Sequence, residues 1–293
     1  MLSNFVCPIC AGTIAEPHLQ VKDYSVSQLT FNLNKCTTCQ LVVTTNAPNQ
    51  TDIAQYYKFD EYISHTNTNK GLINKLYHKV RQITLLKKYN WVKKYTKKDS
   101  GILLDIGCGT GSFLHTMQLH NWTTKGLEPD AKARENAKKL YSIDALQPTE
   151  LYNIETNSYD AVTMWHVLEH VHELQGYITQ IKNILTTNGK LFIAVPNYTS
   201  YDAQYYNKYW AAYDVPRHLY HFAPNSIAQL ATLNGFTLEA TLPMWFDSYY
   251  VSMLSEKYKK GNIIRAFAIG LVSNCKALFS NKKCSSIVYV LSK

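Results

Sequence analysis

The chain has 293 residues, 46% of them hydrophobic, enough to bury a full core, and its length suits one large domain with a smaller companion. Met1 to Cys10 holds no cationic stretch followed by an apolar one, and no run reaches the roughly 18 uninterrupted apolar residues of a membrane span, so a cytoplasmic protein is expected. The net charge is +9, and seven cysteines, an odd number with four arranged as two CxxC pairs, argue against a disulfide framework and for metal ligation.

Residues 1–46 carry the paired cysteines on short segments with strand-like alternation, as at Leu29, Phe31 and Leu33. Cys7-Pro8-Ile9-Cys10 and Cys36-Thr37-Thr38-Cys39 have the spacing at which two tight knuckles present four thiolates to one tetrahedral ion. Four sulfurs close the coordination sphere, so a structural zinc ion and a small zinc ribbon are expected. Cys108, Cys275 and Cys284 are read as free thiols.

Residues 47–98 are expected to form a basic helical linker or lid. Leu72, Ile73, Leu76, Val80, Ile83 and Leu86 recur at helical spacing. From Tyr62 to Lys98 there is no Asp or Glu, while Lys70, Lys75, Lys79, Arg81, Lys87, Lys88, Lys93, Lys94, Lys97 and Lys98 all fall there. Such a run is a solvated helix face or a surface for nucleic acid, anionic lipid or a phosphorylated substrate.

From residue 99 to 293 short apolar runs alternate with helical stretches: Ile102–Ile106, Thr124–Leu127, Asp160–Met164 and Leu191–Val195. This pattern predicts an α/β fold, a Rossmann-like, mostly parallel sheet with helices on both faces. Asn188-Gly189 reads as a helix-ending turn before the Lys190–Val195 strand. A helix over Asn225–Asn234 and strands over Phe236–Leu242 and Ser286–Leu291 follow, with a helical insertion at about 243–284. Within it, Ile263–Phe279 is apolar enough for a membrane-surface helix but is read as an ordinary packed one.

The most informative stretch is Leu103-Leu104-Asp105-Ile106-Gly107-Cys108-Gly109-Thr110-Gly111. A buried strand runs into a glycine-rich turn and then a helix, and the next strand ends in Glu128, an acid placed to accept hydrogen bonds from both ribose hydroxyls. Dinucleotide sites read GxGxxG, with a pyrophosphate on the helix N-terminus. Here Asp105 precedes the first glycine, which suits a cationic ammonium and sulfonium rather than a diphosphate.

Leu103 to Gly111 with Glu128 resembles motif I and the ribose-binding acid of the class I S-adenosylmethionine-dependent methyltransferases. Tyr159 to Val171, with its Trp165-His166-Val167-Leu168-Glu169-His170 core, is similar to the fourth-strand motif of the ubiquinone-methyltransferase-like branch, and the likeness spans roughly residues 100–240. The resemblance implies S-adenosylmethionine as cofactor, with Gly107, Gly109 and Gly111 cradling its methionine part, Glu128 on ribose, and Trp165 and His166 flanking adenine and sulfonium. Asp105 and Cys108 of the same loop complete the expected cofactor set. Asp144 to Glu150 departs from the family's acid-alanine pattern, so no residue is assigned to the adenine amino group. Two CxxC pairs ahead of such a domain also resemble, in architecture, the sugar C-methyltransferases of deoxysugar pathways.

Methyl transfer from a sulfonium is an in-line displacement that needs alignment above all, and a general base only when the acceptor must lose a proton. The candidates are His218 and His221, within Asp214 to Phe222, and His170, expected to share a helical face with His166. Arg217 is free to meet an anionic substrate group or to pair with Asp214. Tyr201, Tyr205, Tyr206, Tyr209 and Trp210 are candidates for a pocket wall, and Tyr249, Tyr250, Met253 and Tyr258 for a cap or a packed core. The leading expectation is a methyltransferase acting on a small-molecule or sugar-type acceptor, in one form anionic. The alternatives are an rRNA or tRNA methyltransferase gripping RNA with ribbon and basic helix, and a non-catalytic zinc-ribbon interaction protein that retains a cofactor pocket.

Overall fold

The computed structural model describes residues 5–57 and 72–293, so Tyr62 and Lys70 of the basic run lie outside the described residues. Three strands open the chain: β1 (Ala15–Lys22), β2 (Thr30–Cys36) and β3 (Val42–Thr44). Of the expected alternating set, Phe31 and Leu33 are buried in β2 between exposed Thr30 and Asn32, whereas Leu29 lies just before the strand and is exposed. α1 (Leu72–Thr96) is the long basic helix, anchored by buried Tyr89 and Val92. Then come β4 (Ile102–Ile106), α2 (Ser112–Gln118), β5 (Thr123–Leu127), α3 (Ala131–Tyr141), β6 (Tyr159–Trp165), α4 (Leu174–Ile184) and β7 (Leu185–Pro196). The remainder holds α5 (Tyr201–Tyr206), β8 (Tyr220–His221), α6 (Pro224–Leu233), β9 (Thr237–Pro243), α7 (Asp247–Tyr258), α8 (Ile263–Leu278) and β10 (Ser286–Ser292).

Local chemistry sets several of these boundaries. Asp130 caps α3 by accepting from the Ala133 amide at 2.7 Å, and Ser142 closes that helix in the left-handed region. Asn262 caps α8 through the Arg265 amide at 2.9 Å. Two expectations need correction. Asn188-Gly189 does not end a helix: α4 stops at Ile184 and both residues fall within β7, where a Cβ on Gly189 would lie 2.9 Å from the Thr186 carbonyl oxygen. The residues after β6 are also not one helical face. His166 takes a positive φ of 59°, and only Leu168–His170 forms a short 3-10 turn.

A four-stranded sheet has the order β1-β2-β3-β8, and a six-stranded sheet the order β5-β4-β6-β7-β10-β9. β4 pairs parallel with both β5 and β6, so Leu103, Leu104 and Ile106 are buried on both faces, which explains why this strand reads as a continuous apolar run. An isolated parallel bridge joins Leu127 to Leu146 beyond β5. The fold is a Rossmann-like α/β architecture with a mostly parallel sheet.

The described residues pack as two compact units, one of residues 5–57, 166–177 and 193–290, the other of residues 72–165, 178–192 and 291–293. In the first, the opening strands share a core with the late aromatic stretch: Phe31, Leu33 and Val42 pack in one cluster with Tyr206, Trp210 and Tyr213. Tyr206 and Trp210 are therefore core residues, since the Trp210 indole donates at 2.8 Å to buried Asp202, which also accepts from Ser273 and Ser285 at 2.6 and 2.7 Å. β8 completes the sheet of β1–β3 by pairing antiparallel with β3. In the second unit, α1 carries Tyr89 stacked on His120 at 3.9 Å and Tyr95 edge-on to Phe192 at 6.5 Å. Among the described residues no helix is long and apolar enough to cross a membrane.

Candidate functional site

The glycine loop of the second unit closes the C-terminal end of β4. Gly107, Gly109 and Gly111 have φ of 72°, 54° and 77°, the left-handed region where a side chain is strained. The reasons for glycine differ. A Cβ on Gly111 would press on Ala137 at 3.2 Å and Ile143 at 3.3 Å, a packing constraint beneath α2 and α3. A Cβ on Gly109 would meet nothing within 4 Å, so this glycine keeps one side of the loop open. The Gly107 and Cys108 amides both donate to the Leu127 carbonyl, at 2.7 and 3.0 Å, which locks the turn to the end of β5.

Two acids converge on the loop. Glu128 accepts from the Gly109 amide with one carboxylate oxygen at 2.8 Å and from the Asp130 amide with the other at 2.9 Å. Burial raises its pKa, and those two amides oppose the shift. Each oxygen keeps a further lone pair for a ligand hydroxyl. Asp105 is 2% exposed and accepts from Thr163 at 2.6 Å. Burial pushes its carboxyl up to about 7, against the pull of the Thr163 hydroxyl and the Lys88 charge. The Cys108 thiol is pushed well up by burial and is a neutral group in the loop wall.

Trp165 ends β6, the parallel neighbour of β4. Its ring stands edge-on to Phe113 at 5.4 Å and carries the Lys88 ammonium 4.3 Å from its centroid. Its indole nitrogen is buried without a hydrogen-bond partner. An open side at Gly109, an orphaned donor at Trp165 and two buried acids fit a cationic adenosyl sulfonium. Other cations of α1 and the residues after it are engaged within the same unit: Lys93 with Asp99 and Lys98 with Asp160, both at 2.6 Å, and Lys87 over Trp91 at 5.2 Å.

In the first unit the structure gathers titratable groups around Glu169. Its carboxylate is fully buried, and neither oxygen has a conventional hydrogen bond; the nearest ring nitrogens are His166 Nδ1 at 3.5 Å and His218 Nε2 at 4.0 Å. Burial works against its charge, yet the surrounding His166, His218 and His170 hold the pKa below the usual carboxylate value. His166, a third of it open to solvent, also meets Asp247 at 3.1 Å. Burial opposes protonation there, but the Asp247 and Glu169 carboxylates win and lift the ring to about 10.

His170 is pressed to about 4 by burial and by the neighbouring His218, and its Nδ1 lies 3.0 Å from both the Tyr57 hydroxyl and the Arg217 carbonyl. His218 Nδ1 lies 2.9 Å from the Ala212 carbonyl, which can only accept. Nδ1 therefore carries a proton and donates it to that carbonyl, while Nε2 faces Glu169 at 4.0 Å and Asp214 at 3.9 Å. His221 is placed differently. Its Nε2 lies 3.0 Å from the Thr44 hydroxyl, which itself donates to the His218 carbonyl at 2.8 Å, so this ring ties β8 to β3. Arg217 is 2% exposed and forms a two-pronged pair with Asp214, its Nε at 2.9 Å, besides donating to the Tyr56 carbonyl. Of its two expected partners, Asp214 is the one the structure provides.

The histidine cluster also has ligand geometry, since one atom each of Glu169, His170 and His218 lie within 4.8 Å of one another. So do the four thiols of Cys7, Cys10, Cys36 and Cys39. Cys7 and Cys39 sulfurs are 3.4 Å apart and Cys10 and Cys36 sulfurs 3.6 Å, against about 3.8 Å between ligands of a tetrahedral zinc–thiolate site. Two matching knuckles produce this: Ala11 and Gln40, each four residues after the first cysteine of its pair, have φ of 54° and 64° and donate to the Cys7 and Cys36 carbonyls at 3.0 Å.

Asp247, Tyr57 and Lys88 join these sites without a local sequence signal, because each arrives from a different element.

Comparison with known proteins supplies the wider frame. A family model described as "Methyltransferase domain" matches residues 78–241. The chain is 30% identical over 154 residues to the ubiquinone biosynthesis O-methyltransferase of Vibrio atlanticus (strain LGP32), covering 50% of this chain and 63% of that protein. It is 28% identical over 126 residues to the mitochondrial ubiquinone biosynthesis O-methyltransferase of Rattus norvegicus, covering 38% of this chain and 36% of that one. The chain thus spans less than two thirds of the length of these relatives. The crystal structure of magnesium protoporphyrin IX methyltransferase from Synechocystis PCC 6803 with bound SAH superposes with a TM-score of 0.55 at 14% identity, over 84% of this chain and all of that one, a likeness of fold.

Proposed function

This chain belongs to the methyltransferase-domain family, and from that premise we propose that it is a class I S-adenosylmethionine-dependent methyltransferase acting on a small-molecule or sugar-type acceptor at a hydroxyl oxygen. The observation that carries the cofactor assignment is the left-handed loop that leaves Gly109 open on one side while two buried acids converge on it. When bound, the cofactor supplies an electrophilic methyl group on a sulfonium. Asp105 and Glu128 then offer negative charge and hydrogen-bond acceptors to its cationic and ribose portions, and Gly107 and Gly111 hold the turn. Trp165 offers an aromatic face and an unspent indole N–H.

Oxygen as acceptor atom rests on the Vibrio and rat relatives, both named as O-methyltransferases. A hydroxyl must lose its proton as the new bond forms, and His218 is the proposed base, because Nδ1 is committed to the Ala212 carbonyl and Nε2 is left to accept. Glu169, buried with its carboxylate 4.0 Å from the same Nε2, stabilises by its charge the imidazolium that results. Structural zinc on Cys7, Cys10, Cys36 and Cys39 is part of the same proposal, supported by the paired knuckles.

The test is incubation of the protein with isotope-labelled S-adenosylmethionine and a fractionated small-metabolite extract, followed by mass spectrometry. A labelled product whose added mass resides on oxygen supports the reading. Label recovered only on RNA, or no turnover by protein that binds the cofactor, refutes it.

A further inference from the structure

α8 is built the wrong way round for a helix packed in a core. Its buried positions are mostly small, Ala266, Gly270, Ser273 and Ala277, and the packing is so close that a Cβ on Gly270 would lie 2.7 Å from the Tyr249 ring. Its large apolar side chains point outward. Ile264, Phe267, Leu271, Leu278 and Phe279 are 79%, 50%, 55%, 73% and 88% exposed. The spacing of Ile264, Phe267, Leu271 and Leu278 puts them on one face. Scattered exposed apolar residues are ordinary, but a whole helical face of them is a contact surface.

The charges around this face select its occupant. Lys257, Lys259 and Lys260 precede the N-terminus of α8, and Lys276, Lys282 and Lys283 follow along its last turn and beyond. The only acids between residues 244 and 285 are already committed, Asp247 to His166 and Glu256 to Arg265 at 2.8 Å. A second copy pairing this same segment face to face would set lysines against lysines, with both acids of the segment already paired. An apolar stripe bracketed by lysines complements an anionic lipid surface, with the stripe sinking to the acyl boundary and the ammonium groups at the phosphates.

We propose that α8 is a peripheral docking element that seats the enzyme on an anionic bilayer, a property separate from methyl transfer. The test is co-sedimentation of the whole protein with phosphatidylcholine vesicles, with and without roughly 30% phosphatidylglycerol, at low and high salt, alongside light scattering for oligomeric state. The wild type is expected to pellet with the anionic vesicles and to be released by salt. Phe267→Glu with Leu271→Glu should lower vesicle partitioning at least about tenfold while circular dichroism and cofactor affinity stay unchanged. Lys282→Glu with Lys283→Glu is a second variant that leaves the apolar face intact and should weaken binding to anionic vesicles alone. Absence of wild-type binding, equal binding by both variants, or a solution dimer that the apolar double variant splits would overturn the proposal.

Discussion

Asp105→Asn separates what the cofactor loop needs for function from what the fold prefers. Asp105 is 2% exposed, and burial raises its carboxyl from 3.8 to about 7. The sign follows directly. Between these two values the unfolded chain has released the proton while the folded protein still binds it, so stability is lost as pH rises from 3.8 to 7. The interval of about 3 pH units, at 1.36 kcal/mol each, sets a ceiling of about 4 kcal/mol on the cost of holding the charge above pH 7. Asparagine removes that charge and retains an acceptor for the Thr163 hydroxyl at 2.6 Å, but it adds two amide donors with no assured partner. A net gain of about 1–2 kcal/mol, or a rise in Tm of roughly 2–3 °C, is therefore expected for the cofactor-free protein at pH 8. The gain should shrink by up to about 1.4 kcal/mol for each pH unit below 7 as wild-type Asp105 takes up its proton. Calorimetric titration with S-adenosylmethionine should show affinity falling at least about tenfold, as expected when a buried carboxylate facing a cation is neutralised. A lower Tm at pH 8, a gain that does not vary with pH, or unchanged cofactor affinity would refute the reasoning.

Gly109→Val places a β-branched residue at φ 54° on the open side of the loop, so cofactor binding should be lost while metal content by plasma mass spectrometry stays at wild-type level. Retained affinity would move the pocket elsewhere. Zinc removal with a strong chelator should lower Tm by several degrees and release one zinc per chain, and Cys36→Ser should reproduce the loss without chelator. His218→Gln should cut kcat by about 100-fold or more with little change in KM, whereas His221→Gln should instead lower Tm through its lost bond to Thr44; equal kinetic effects would remove His218 from the base role.

What the sequence alone determined about this protein is whatever a few neighbouring residues settle between themselves. Two CxxC pairs specify two knuckles because each knuckle closes within five residues, as the Ala11 and Gln40 amides show. The glycine loop was legible for the same reason, since left-handed φ values and a strand-to-helix turn are local requirements. Even there only the tertiary structure separates the glycines, Gly111 yielding to Ala137 and Gly109 facing open space. His170, His218 and His221 could be named from the sequence but their partners could not, because Tyr57 meets His170 across 113 positions and Thr44 meets His221 across 177, and no local pattern encodes a contact between distant elements. α8 shows the limit most clearly. Its apolar period implied a packed face, but periodicity says only that one side differs from the other. Which side is covered depends on the elements packed against it, and here close packing on Tyr249 of α7 and the Ser273 bond to Asp202, 71 positions away, admit mostly small residues and turn the large ones to solvent.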